Sequence, residues 1–332
     1  MEVNMKVGLC YDTKEDYGFQ KSDYTYCNFT DEETISFVKK TLELCGYEVE
    51  LIGNHKSLYQ QLKSKTFACD IVFSTAEGTN SRNRESWIPT LLELNQIPFV
   101  GMDAYGLSLT LDKIQTKLLA QYLNILTPEF CEIFSVKDIP YVLKRMCFPL
   151  IIKPYREGDS MGVYLVANEE ELIEKVDFLL KQYNQKLICE QYIPHNEITV
   201  SVCEINGVAK VLGICETRGN DSSILPIFTS EYKLLYGSKK ISPQISSNTK
   251  QILIDYSIKL FKYTECHDYC RFDYRLGQSE TVYLIEVTPL AALGPNASFL
   301  AGIKLNGIKP EFVFDSIIKN AATRYGILPP KA

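Results

Sequence analysis

The stretch Arg271-Phe-Asp273-Tyr-Arg-Leu-Gly-Gln-Ser-Glu-Thr-Val-Tyr-Leu-Ile-Glu286-Val-Thr288 decides the reading of this chain. Two runs of strand-forming residues flank the polar segment Gln278-Ser279-Glu280-Thr281, with Gly277 at its entrance. A connection of that length is common in β-hairpins. Folding the runs together so that Asp273 faces Glu286 also sets Arg271 against Thr288. Side chains alternate along a strand. Arg271, Asp273, Glu286 and Thr288 then share one face, while Phe272, Tyr274, Ile285 and Val287 make an apolar opposite face. Two carboxylates and an arginine are costly to bury without partners. A magnesium ion is one such partner, because it takes hard oxygen ligands, typically one or two carboxylates plus phosphate oxygens. The arginine could steady the oxyanion of a tetrahedral intermediate. A solvated strand face with cross-strand ion pairs satisfies the same pattern.

Further upstream runs Phe148-Pro-Leu-Ile-Ile-Lys153-Pro-Tyr-Arg156-Glu157-Gly158-Asp159-Ser160-Met-Gly162. Lys153 ends an apolar strand and can offer its ammonium to phosphate as a point charge. Gly158 and Gly162 allow close backbone approach, so that exposed N–H groups can hold phosphate oxygens. An ordinary hairpin loop is the competing interpretation. The chain has no Gly-x-x-x-x-Gly-Lys-Ser/Thr motif, so this is not a P-loop. It has no Gly-x-Gly-x-x-Gly either, which removes the main support for a dinucleotide enzyme. Glu190-Gln191-Tyr192-Ile193-Pro-His-Asn-Glu197 joins two strands. Such a connection can present backbone groups to an adenine edge, with Glu197 accepting from ribose hydroxyls.

Composition narrows the class. The 332 residues are 45% hydrophobic, enough for two or three domains with their own cores. A net charge of −6 argues against a general nucleic-acid binder. Eleven cysteines follow no disulfide framework, no basic-then-apolar leader opens the chain, and no apolar run is long enough for a bilayer. These features predict a cytoplasmic protein with reduced thiols and no membrane association. Three histidines argue against a His-rich metal centre or a Ser-His-Asp triad. Cys266-His-Asp-Tyr-Cys270 has no second cluster to complete four zinc ligands, and reads as ordinary thiols.

The first hundred residues alternate strand and helix: strands at Lys6–Tyr11, Tyr47–Ile52, Asp70–Phe73 and Ile97–Val100, and helices from a Thr30–Glu33 capping box to Gly46 and over Ser86–Leu94. A helix over Asp112–Leu123, three short strands and an Asn168-capped helix follow. From Leu187 long strands dominate, interrupted by a helix near Thr249–Phe261. Residues 220–247 lack periodicity and read as a functional loop.

In this order the motifs resemble the ATP-grasp superfamily and, within it, the D-alanine–D-alanine ligase family, along almost the whole chain from Lys6. The resemblance implies an α/β (α+β) three-domain ATP-grasp fold. A parallel α/β domain at 1–107 would precede a central lobe at 108–186 and a C-terminal lobe at 187–332, with ATP between the lobes. It implies ATP contacts from Lys113, in the segment Leu109–Lys117, and from Lys153, Arg156, Glu157, Gly158 and Ser160. Glu190, Gln191, Tyr192, Ile193 and Glu197 would take the adenine and ribose. Asp273 and Glu286, with Thr288, would hold one or two magnesium ions, manganese being the alternative. Arg271 would stabilise the intermediate, and Lys233 of Glu231-Tyr-Lys233 would reach the γ-phosphate from a mobile loop. Glu77 falls on the substrate side. The implied reaction phosphorylates a carboxylate, and an amine then attacks the acyl phosphate. The implied partners are amino-acid or peptide substrates and a second copy of the chain, with no nucleic acid or membrane.

Four departures stand out. Thr288 replaces the family's asparagine, Ala291-Ala292 its Pro-Gly, and Asp159 a serine. Asp12–Phe29 replaces the segment that carries the family's amino-group-binding glutamate, for which Glu33 is the nearest candidate. The ATP half is intact and the acceptor half altered. The expected protein is an ATP-dependent carboxylate–amine ligase whose substrates need not be two D-alanines. The alternatives are a true D-alanine–D-alanine ligase and a nucleotide-binding protein without ligase activity.

Overall fold

A computed structural model of the protein describes residues 5–20, 29–194, 196–224, 226–227, 229, 232 and 235–329. Lys233 and Glu231 lie outside the described residues. The first sheet is parallel, in the order β2-β1-β3, from β1 (Lys6–Cys10), β2 (Glu48–Gly53) and β3 (Ile71–Ser74). Helices α1 (Glu32–Leu44), α2 (His55–Ser64) and α3 (Trp87–Leu94) accompany it. The expected fourth strand at Ile97–Val100 reduces to a single parallel bridge, Val72 to Phe99. Pro98 has no N–H to extend the ladder; its carbonyl accepts from Val72. Helix α1 is capped one residue later than expected. Asp31 Oδ1 accepts from Thr34 N at 2.7 Å, while the Thr30 hydroxyl turns to the Thr75 carbonyl at 3.3 Å. The Thr30–Glu33 capping box therefore does not form.

After α4 (Ala104–Leu111) and α5 (Lys113–Tyr122), a second, antiparallel sheet runs β4-β7-β5-β6. Its strands are β4 (Phe130–Ile133), β5 (Leu150–Pro154), β6 (Tyr164–Val166) and β7 (Leu187–Gln191). Helices α6 (Ile139–Leu143) and α7 (Glu169–Tyr183) belong with it. Asn168 caps α7 as expected, accepting from Glu171 N at 2.9 Å. By pairing, β7 belongs to this sheet, so the sheet extends past residue 186 to Gln191.

The third sheet runs β10-β9-β8-β11-β12, from β8 (Glu197–Ile205), β9 (Val208–Arg218), β10 (Lys239–Ile241), β11 (Tyr269–Leu276) and β12 (Val282–Thr288). Helices α8 (Ser247–Tyr263), α9 (Ser298–Leu305) and α10 (Pro310–Arg324) follow or flank its strands. The β11–β12 hairpin has the expected register, Arg271 opposite Thr288 and Asp273 opposite Glu286. A bulge after Asp273 then pairs Tyr274 with Leu284. Leu284 thus joins Phe272, Tyr274 and Val287 in the core beneath the hairpin. Ile285, expected among them, lines the opposite cavity instead.

Helix α9 lies against the same face as the cavity. A side chain at Gly213 of β9 would collide with the Gly302 backbone, so the two glycines allow direct contact of helix and strand. Ser201 Oγ donates to the Phe299 carbonyl at 2.7 Å and ties down the helix start. The core of the first sheet is shared. Val7, Leu9, Ile71 and Phe73 pack with α1, and equally with Phe299 and Ile303 of α9 and Phe314 and Ile317 of α10. Among the described residues no helix is long and apolar enough to cross a membrane.

Candidate active site

A cavity of about 350 Å³ opens between the second and third sheets. The end of β5 contributes Lys153, and the β7–β8 connection contributes Glu190, Gln191, Tyr192, Ile193 and Glu197. Lys113 comes from the start of α5, where Asp112 caps the helix through Ile114 and Gln115 N. The glycine-rich loop adds Glu157, Asp159 and Ser160. The third sheet supplies Arg271, Asp273 and Glu286, and the segment beyond it Ala292.

Charges pair across this space. Glu190 is held from both sides, by Lys153 Nζ at 2.9 Å and Lys117 Nζ at 3.1 Å. Burial alone would raise the Glu190 carboxyl, but the two lysines outweigh it and hold it at about 2. Burial pushes Lys117 down to about 8, against the pull of Glu190. Glu190 stabilises the fold fully above its ordinary value of 4.5, and that contribution is lost as pH falls toward 2. Because burial disfavours the Lys117 charge, stability again gains as pH rises, here from 8 toward 10.5. Glu190→Gln should therefore cost roughly 3 kcal/mol at neutral pH. It should also flatten the fall in denaturant midpoint between pH 4.5 and 2. Urea titrations at several pH values check both, and an unchanged acid limb would contradict the assignment.

Lys113 Nζ meets Glu286 Oε1 at 2.7 Å and donates to the Glu157 carbonyl at 2.6 Å. Burial acts to raise the Glu286 carboxyl, but Lys113 and Arg271 hold it below the ordinary range. Arg271 donates from Nε to Asp273 Oδ2 at 2.9 Å and from Nη2 to Thr288 Oγ1 at 3.5 Å. Asp273 Oδ1 accepts from Thr199 Oγ1 at 2.9 Å. Burial disfavours the Arg271 charge, yet Asp273, Glu286 and Asp159 together keep its proton more tightly bound than usual.

The segment between β3 and α3 supplies a second charged group beside the glycine-rich loop. Arg84, buried, donates to Glu85 Oε1 at 3.1 Å and lies 3.9 Å from Glu77 Oε2. Burial raises the Glu85 carboxyl, opposed by Arg84 and Lys113. Asp12 accepts from Gly78 N at 2.7 Å and so fixes the loop that carries Glu77.

Most residues singled out in the sequence thus face one cavity. Arg156, Gly158, Thr288 and Glu77 are not among the residues that line it. The Arg156 guanidinium stacks on Tyr155 at 4.5 Å. Glu33 is exposed in the first turn of α1 and does not reach the cavity. Lys117, Glu85, Thr199, Lys240, Asn296 and Ser298 are among the polar residues that sequence reasoning missed. Lys117 is four residues from Lys113 on α5, a helical repeat that would have marked it as a second candidate.

Asp273 and Glu286 face each other in register with hard oxygen donors turned to the cavity, a set that suits magnesium. Among the described residues no group of three or more His, Cys, Asp or Glu could hold a metal. An ion here would need phosphate oxygens to complete its shell.

Two lobes closing on a cavity of paired lysines and carboxylates form the ATP-grasp architecture. Residues 120–319 match the family model described as D-ala D-ala ligase C-terminus. The chain belongs to the D-alanine–D-alanine ligase family. It is similar to the uncharacterized protein y4sG of Sinorhizobium fredii, 27% identical over 87% of each chain. It is also similar to a D-alanine–D-alanine ligase of Thermotoga petrophila, 26% identical over 86% of this chain and 90% of that one. Among solved structures, the ligase of the same name from Bacillus anthracis, complexed with ATP, superposes with a TM-score of 0.75. Its sequence identity is 19%, and the match covers 98% of this chain and 99% of that one.

Proposed function

We propose that the protein is an ATP-dependent ligase that joins the carboxylate of one amino-acid-like substrate to the amine of another through an acyl phosphate. The observation that carries this reading is the meeting of Lys153–Glu190 with the Arg271–Asp273–Glu286 face in one cavity. Lys153, Lys113 and the Glu157–Ser160 loop would bind the phosphates, and the Glu190–Ile193 connection with Glu197 the nucleoside. Asp273 and Glu286 would hold magnesium, which when bound neutralises phosphate charge. Arg271 would stabilise the oxyanion as the amine attacks. The lobes would exclude water from the acyl phosphate. Glu77, Asp159 and Ala292 border the substrate positions in this reading.

Ala292 supports a changed acceptor, because it puts a methyl group where the family has glycine. The test is ADP release with Mg-ATP against D- and L-amino acids, singly and in pairs, with products weighed by mass spectrometry. Release with a defined pair is expected. ATP binding without release from any pair would count against the ligase reading.

A further inference from the structure

Lys117 is buried on α5 and has no role in the reading above. Its side chain is 1% exposed, and it is not among the residues that line the cavity. A lysine is rarely taken so far out of water, because its charge loses hydration. The ammonium stands 3.1 Å from Glu190 Oε1 and donates to Thr127 Oγ1 at 2.7 Å. Thr127 Oγ1 in turn donates to the Leu284 carbonyl at 2.9 Å, which leaves its lone pairs for Lys117. The Phe130 ring lies 5.9 Å from the ammonium. Thr127 and Phe130 thus hold the ammonium in place without neutralising it.

The other oxygen of Glu190 is taken by Lys153, at 2.9 Å. Glu190 pairs with Ile151, two residues before Lys153, so the carboxylate and this lysine lie diagonally on one face of the second sheet. Lys153 and Glu190 line the cavity, and Lys117 reaches the same carboxylate from behind. A Lys153–Glu190 pair alone would be neutral and would draw a phosphate weakly. With Lys117 the group carries one positive charge in excess. Burial lowers Lys117 only to about 8, so the excess is present at neutral pH. Lys113 supplies no such surplus, because Glu286 matches it at 2.7 Å. All three members of the Lys117–Glu190–Lys153 group are buried, where water and salt screen a charge least.

We propose that Lys117 is a positioning residue for the nucleotide triphosphate: it balances Glu190 from behind and so leaves the charge of Lys153 to the phosphate chain. The proposal rests on the ATP-binding part of the reading above and does not require the ligase step. A purely structural role, as a strut between α5, Thr127 and β12, differs in what it would protect. A strut supports the whole pocket, whereas a surplus charge acts on phosphates and leaves the nucleoside alone.

The experiment measures the affinity of the full chain for Mg-ATP and for adenosine at pH 7, by calorimetric titration. Wild type is compared with Lys117→Met, Lys117→Gln and the double variant Lys117→Met/Glu190→Gln. Both single variants should weaken Mg-ATP binding by about 10-fold and adenosine binding by less than about twofold. The double variant removes one charge of each sign and restores the surplus on Lys153. Its preference for Mg-ATP over adenosine should return to within about threefold of wild type, whatever adenine contact Glu190 makes. Equal losses for the two ligands would make Lys117 a strut and overturn the proposal. A double variant whose preference stays at the level of Lys117→Met would overturn it too. If wild type does not bind Mg-ATP, the nucleotide reading itself falls. If wild type binds it and both single variants bind as tightly, only the role of Lys117 falls.

Discussion

Replacing Arg271 by alanine should lower kcat by about 10³-fold while changing the affinity for ATP by less than about threefold. Arg271 is half-buried between Asp273 and Thr288, with its guanidinium on the cavity face. Its fork is already held in place, so little reorganisation is needed when negative charge develops at the attacked carbon. The interaction is strongest in the transition state, and its loss should appear in kcat rather than in nucleotide binding. Arg271→Lys keeps the charge but not the planar fork, and should fall between wild type and alanine. Steady-state kinetics together with an ATP-binding titration separate the two effects. Equal losses in turnover and ATP affinity would make Arg271 a nucleotide ligand instead.

The second large effect is expected at Asp273. Asp273→Asn keeps the shape and can still accept from Thr199, but removes the charge that faces Glu286 across the hairpin. Turnover should drop by roughly 10²- to 10⁴-fold, and the magnesium concentration giving half-maximal rate should rise. The unfolding midpoint should stay close to that of wild type, because the change is isosteric. Near-normal turnover would show that Asp273 does not take part in the metal site.

The hairpin was legible because alternation leaves little freedom: once Asp273 faces Glu286, Arg271 must face Thr288. The bulge after Asp273 was not legible. It adds one unpaired residue, Ile285, to β12, and strict alternation carries no record of that; Ile285 was assigned to the wrong face as a result. The buried cations were half legible. Lys113 and Lys117 are one turn apart on α5, and only the fold shows that one meets Glu286 while the other meets Glu190. Lys240 was hidden by the weak periodicity of 220–247, where a three-residue edge strand leaves almost no signal. Likewise Asp31, not Thr30, caps α1, a choice between adjacent good caps that tertiary contacts made.

The first sheet does not own its hydrophobic partners. Tyr47 reaches Asp315 across 268 residues of sequence, and the apolar face of β1 and β3 is covered by α9 and α10. A ribosome delivering this chain from its start would present that face long before its cover emerges. Early β1–α1–β2 intermediates would be sticky and slow to settle, since closing so long a loop precedes any gain from the contact. Expression of the first hundred residues alone should give aggregate, and synthesis in the cell should lean on chaperones until the final helix docks.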